Sequence, residues 1–116
     1  MTLNKDIFRL EHIIDSIVKI EQLVQILGNY PNFEEKWIEQ DSVIRNFEII
    51  GETSSHISKE LKENHLDIAW KEIRGMRNFM SHEYFGLQLD TIWTSAVHDI
   101  PILKKQIQKI LHDLEA

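Results

Sequence analysis

Leu10, Ile13, Ile17, Ile20, Val24 and Leu27 recur three or four positions apart, and Ile7 and Ile14 widen the same stripe. That period gathers apolar residues on one face of an α-helix and leaves the polar ones on the other. The spacing predicts a long amphipathic helix from about Asn4, a suitable N-cap, to Gly28-Asn29-Tyr30-Pro31. There Gly and Asn suit a C-terminal turn, and Pro cannot continue the helix. The stretch that follows reads as loop. A second helix is predicted from about Asp41 to about Lys62, its inner face carried by Val43, Phe47, Ile50, Ile57 and Leu61, with Ser54 the one polar member. Gly51 lies inside it; a mid-helix Gly costs about 1 kcal/mol relative to Ala, and close packing of another helix is one reason to keep it.

A third helix should open at Asp67 as cap, with Leu66, Ala69, Ile73, Met76 and Met80 in helical register and Trp70 beside them. After a loop at Gly86, Asp90 can cap a segment running to about His98. Asp99-Ile100-Pro101 should break or kink that segment, because Pro lacks an N–H and disfavours helix at the residue before it. Leu103, Ile107, Ile110 and Leu114 mark a last helix, with Lys104, Lys105 and Lys109 towards solvent. No segment alternates with a period of two. The expected fold class is therefore all-α: an up-and-down four-helix bundle with a broken or kinked last helix, one domain over residues 1–116.

A chain of 116 residues, 42% hydrophobic, supports one core and leaves no room for a second. It has no Cys, which removes disulfides, thiol chemistry and thiolate metal sites. The opening MTLNKDIFRLEH contains no apolar run suited to export or membrane insertion, so a cytoplasmic location is expected. The formal charge of −6 excludes a globally basic protein that coats nucleic acid, but it leaves room for a local basic site. The acid excess falls in the first 70 residues, whereas Lys71, Arg74 and Arg77 outnumber Glu72 and Glu83 between Lys71 and Tyr84. Three basic residues on a helix are ordinarily a solvated face.

What stands beside them alters that reading. Arg77, His82 and Tyr84 lie close together in RGMRNFMSHEYFG. A guanidinium can clamp two phosphate oxygens, and an imidazole can exchange protons near neutral pH. Together they suit phosphodiester cleavage in RNA, where a base deprotonates the 2′-hydroxyl for attack on the adjacent phosphorus. On a continuous helix Arg77 and His82 would point about 140° apart. Either the helix ends or distorts between them, or two copies about a twofold axis share one cleft. On the second helix, Arg45, Glu48, Glu52, His56 and Lys59 form an ionisable stripe. Such stripes are usually solvated, with Arg45–Glu48 and Glu52–His56 as intrahelical pairs. If this face meets Arg77, then Asn46, Glu48 or Glu52 could orient the arginine. His12, His56, His65, His98 and His112 are scattered without a metal-binding pattern, so no metal and no cofactor are expected. Trp37, Trp70 and Trp93 read as packing residues, with Trp37 the alternative candidate for a dimer interface.

The pattern R-x-x-x-x-H-x-Y, its context RGMRNFMSHEYFG and the upstream stretch VIRNFEIIGETSSHIS resemble the HepT toxin family of HEPN-domain ribonucleases. The likeness covers nearly the whole chain, including Trp70 ahead of the motif and Asp-Ile-Pro before the last helix. It implies a metal-independent endoribonuclease toxin acting on RNA, a homodimeric bundle whose protomers line a cleft with catalytic Arg77 and His82. Arg74, Asn78, Asn46, Glu48 and Glu52 are the supporting or substrate-binding candidates. The resemblance also implies a type VII toxin–antitoxin pair, in which a minimal nucleotidyltransferase antitoxin of the MntA type transfers AMP to the motif tyrosine, here Tyr84. Bulk and negative charge at that position would compete with RNA for the same cations. Glu83 departs from the small residue many relatives carry there, and a carboxylate beside His82 would repel a phosphate. The alternative is a non-catalytic helical adaptor or acceptor subunit of a nucleotidyltransferase partner.

Overall fold

The computed structural model describes residues 2–77 and 89–115, and every regular element among them is helical. Helix α1 (Thr2–Leu27) starts before the expected Asn4 and buries Leu10, Ile13, Ile17, Ile20 and Leu27, with Val24 at the margin of the core. It stops as the sequence demands. Gly28 takes φ +83°, a left-handed conformation that costs glycine nothing, and its N–H donates to the Val24 carbonyl at 2.8 Å.

The stretch read as loop holds a short helix instead, α2 (Tyr30–Glu35). The Asn29 side chain accepts from the Asn32 N–H at 3.0 Å, and Pro31 sits in the first turn, where its missing N–H leaves no bond unmade. The residues that end α1 thus also begin α2. That turn drives Phe33 fully into the core, its ring centroid 5.3 Å from that of Trp93.

The predicted second helix is two helices. Helix α3 (Trp37–Ser55) starts earlier than Asp41 and stops well short of Lys62, and α4 (Lys59–Asn64) follows a break at residues 56–58. The cause lies far away in sequence. Asp6, only 2% exposed, accepts from the Ser58 N–H at 2.9 Å and from its hydroxyl at 2.5 Å, while Ser58 Oγ caps α4 by accepting from the Leu61 N–H. Arg9 also donates to the His56 carbonyl at 2.6 Å. These bonds tie the start of α1 to the end of α3 and make the two helices antiparallel. Ile57 and Leu61 stay buried, so the apolar face continues through the break.

Helix α5 (Trp70–Gly75) opens later than the cap foreseen at Asp67. Leu66 is 79% exposed and Ile68 is buried in its place, because tight turns at residues 65–70 rotate the chain before the helix begins. The indole N–H of Trp70 closes this turn on the His65 carbonyl at 2.9 Å. Met80 lies outside the described residues.

The break or kink expected at Asp99-Ile100-Pro101 takes the form of a bulge rather than an end. Helix α6 (Leu89–Thr94), with Asp90 in its first turn instead of at its cap, passes through a π-helical turn (Ser95–Asp99) into α7 (Ile100–Glu115). The Ile100 N–H reaches back five residues to the Ser95 carbonyl, which widens the turn just ahead of Pro101. Ile92, Ala96, Ile100, Leu103, Ile107 and Ile110 are buried along this unit. Lys105 and Lys109 face solvent, but Lys104 is only about one-third exposed and its Nζ lies 2.9 Å from Glu21 Oε1 on α1. Helix α1 is packed between α3 and α7, α5 rests on α3, and α2 with α6 closes one end, giving the expected all-α bundle. Among the described residues, no helix is long and apolar enough to cross a membrane.

Candidate functional site

Gly51 determines where the basic segment sits. A Cβ built on it would lie 2.5 Å from the Arg77 backbone nitrogen and 2.9 Å from the Ile73 carbonyl oxygen, so only a residue without a side chain lets the end of α5 rest on α3 this closely. The close approach foreseen for Gly51 is therefore real, and it delivers the backbone of Arg77 to the face of α3. Helix α5 ends at Gly75, just before Arg77. Its last turn tightens, with the Met76 N–H on the Ile73 carbonyl at 3.0 Å and the Arg77 N–H on the Arg74 carbonyl at 3.4 Å.

From that turn the Arg77 guanidinium reaches to 3.7 Å from Glu52 Oε2 and remains 47% exposed. The other oxygen of Glu52 lies 3.2 Å from His56 Nε2, and Arg45 pairs with Glu48 one turn away. Both intrahelical pairs foreseen on this stripe are formed. The stripe is more than a solvated face, because it forms one wall of an open cleft of about 530 Å³. His12 of α1, Arg45, Glu48, Glu52 and Thr53 of α3, and Arg77 line it. Two guanidiniums and two carboxylates nearly cancel, so an anion entering the cleft competes with a carboxylate for each arginine.

Of the supporting residues foreseen, Glu48 and Glu52 share the cleft with Arg77, whereas Asn46 and Arg74 do not line it. Asn46 is buried inside the bundle, donating from Nδ2 to the Ser42 carbonyl at 2.8 Å, and its Oδ1 has no partner among the described residues. Arg74 is exposed and lies towards Lys62, whose pKa is lowered by burial first and by the Arg74 charge second. Asn78, His82, Glu83 and Tyr84 lie outside the described residues. Sequence reasoning treated His12 as a scattered surface histidine and did not include Arg45 among the site residues. Only the antiparallel register of α1 and α3 brings His12 opposite Arg45 and Glu52. Trp70 and Trp93 pack against the core, but Trp37 is 67% exposed and does not. Among the described residues, no three His, Asp or Glu side chains are grouped to hold a metal ion.

The site is thus an all-helical bundle presenting an arginine from just beyond a helix end into an open cleft. The family model described as "Ribonuclease HepT-like" matches residues 13–110. The chain belongs to this HepT-like family, within the HEPN superfamily. It is 36% identical over 101 residues to "Probable ribonuclease HepT" of Thermococcus cleftensis, covering 87% of this chain and 91% of that protein. It is 36% identical over 102 residues to "Putative RNase TTE0752" of Caldanaerobacter subterraneus subsp. tengcongensis, covering 88% and 90%. A third relative, "Gamma-glutamylcyclotransferase and putative RNase MJ0434" of Methanocaldococcus jannaschii, is 39% identical over 106 residues, 91% of this chain but 47% of that protein. The chain thus spans about half of that longer relative. No solved structure matches the chain.

Proposed function

We propose that this protein is a metal-independent endoribonuclease toxin of a type VII toxin–antitoxin pair. The observation that carries the reading is Arg77, held by the Gly51 contact where it lines an open cleft, in a chain of the HepT-like family. RNA carries its own nucleophile. His82 takes the proton of a 2′-hydroxyl, the oxygen attacks the neighbouring phosphorus as its bond to the 5′-oxygen breaks, the 5′-oxygen takes a proton from water, and His82 returns its own to solvent. The products are a 2′,3′-cyclic phosphate and a 5′-hydroxyl. Arg77 stabilises the charge that builds on the phosphoryl oxygens. Glu52 keeps Arg77 aimed into the cleft while RNA is absent, then yields it to the phosphate. The active form is a homodimer with both Arg77–His82 pairs at one cleft, and an MntA-type nucleotidyltransferase silences it by transferring AMP to Tyr84. The added phosphate then competes for Arg77.

The test is cleavage of a mixed RNA pool in excess EDTA by protein made without its partner, with mass spectrometry confirming that Tyr84 is unmodified. The expected result is cleavage with 2′,3′-cyclic phosphate ends, abolished in both His82→Ala and Arg77→Ala. Equal cleavage by the wild type and His82→Ala would remove His82 from the chemistry. No cleavage by unmodified protein would favour the second reading, an adaptor or acceptor subunit, which the carboxylate already seated on Arg77 suits.

A further inference from the structure

His12 belongs to two hollows at once. On one side it lines the arginine cleft; on the other it borders a second hollow of about 490 Å³ formed by Phe8, Glu11, His12 and Asp15 of α1. Phe8 is 69% exposed, and its ring centroid lies 6.4 Å from the imidazole one turn on, at an interplanar angle of 55°. An aromatic ring left in water costs hydrophobic free energy, and here the fold spends it beside the candidate phosphate site. The charges of the two hollows differ. The arginine cleft sets Arg45 and Arg77 against Glu48 and Glu52, whereas in the second hollow Glu11 and Asp15 face no Arg or Lys. A phosphate is repelled from Glu11 and Asp15, while the N–H donors of a nucleobase are attracted to them.

We infer that Phe8, with His12 as its inner edge and Glu11 and Asp15 as acceptors, is a subsite for an unpaired nucleobase next to the phosphate held by Arg77. Single-stranded RNA is typically bound in this way, with bases stacked on aromatic rings and read on their exposed edges while cations track the backbone. Of the four bases, guanine offers two adjacent donors to a single carboxylate, so it is the preferred occupant. The inference rests on the RNA reading above, and its test separates the two.

Binding of 2′-O-methyl heptanucleotides, which lack the nucleophile and so are not cleaved, is measured by fluorescence anisotropy. The probes are heptauridylate and its variants with one central G, A or C. Tightest binding of the G variant is expected. F8A should weaken it about tenfold, the effect of losing one stacked base, and F8W should restore it. Replacing Glu11 with Gln and Asp15 with Asn together should abolish the preference for G and keep the stacking. R77A should weaken every probe alike. If R77A weakens binding while F8A leaves every probe unchanged, the subsite is overturned and the RNA reading stands. If the wild type binds none of the probes, both fall. A change of sedimentation coefficient in F8A overturns the subsite in favour of a contact between copies of the chain.

Discussion

The layer where α1 meets α3 and α7 and the junction where α5 meets α3 are built on opposite terms. In the first, Leu10, Ile17, Phe47, Ile50 and Ile107 are wholly buried and fill the space with branched and aromatic side chains. In the second, two backbones touch at Gly51, and the side chains beyond the contact are charged and about half exposed. Burial of apolar surface stabilises the first region, whereas exposed ion pairs contribute little to the second. The stable layer therefore acts as a platform, and the junction keeps its charged groups free to exchange partners. On the proposed function this cleft releases Arg77 to RNA, and exposed pairs that exchange readily suit that role better than a packed core would.

The largest effect should come from breaking the platform. Phe47→Ala removes a ring that is 0% exposed. It should cost about 3–5 kcal/mol, because the lost transfer energy adds to that of the cavity left behind. Urea unfolding would measure this as a lower midpoint with little change in slope. A loss under about 1 kcal/mol would mean that the core can collapse around the gap, and the contrast between the regions would weaken.

Gly51→Ala tests the junction itself. In an unobstructed helix the change would stabilise by about 1 kcal/mol. Here the new Cβ would lie 2.5 Å from the Arg77 nitrogen and 2.9 Å from the Ile73 oxygen, both backbone atoms without a rotamer to escape into. Overpacking of this kind costs about 1–3 kcal/mol. The expected outcome is a net loss of about 1–2 kcal/mol, with RNA cleavage falling far more than stability because Arg77 is carried away from the cleft. Full activity in this variant would mean that the position of α5 on α3 does not matter to the site.

These two regions were also unequally legible in the sequence. The stripes on α1, α3 and α7 were read correctly because a helical period needs only local spacing, and the same spacing paired Arg45 with Glu48 and Glu52 with His56. The break at Ser58 was not legible: Ile57 and Leu61 continue the period across it, and Asp6, which supplies the bond that makes the break, is remote in sequence. Around α5, Leu66 and Ile68 offered two registers for one apolar face, and the tight turns chose Ile68. Gly51 announced a close approach without naming what approaches. His12 was missed because its place in the cleft follows from the register of α1 against α3, a long-range property that no spacing within α1 encodes.

The smallest effect on stability, and the sharpest statement of the contrast, belongs to Glu52→Gln. Glu52 is 56% exposed, and its bonds to Arg77 and His56 span 3.7 Å and 3.2 Å. Removing its charge should change the unfolding free energy by about 0.5 kcal/mol or less, the range for exposed ion pairs. Binding should respond in the other direction. With the carboxylate gone, its repulsion and its competition for Arg77 go too, so affinity for RNA should rise several-fold at low salt, and the gain should shrink as salt screens the site. The two readouts separate the roles of Glu52. Tighter binding with unchanged turnover means that it only occupies the arginine, whereas tighter binding with slower turnover means that it also aims the guanidinium. Weaker binding would mean that Arg77 needs Glu52 to reach the cleft at all.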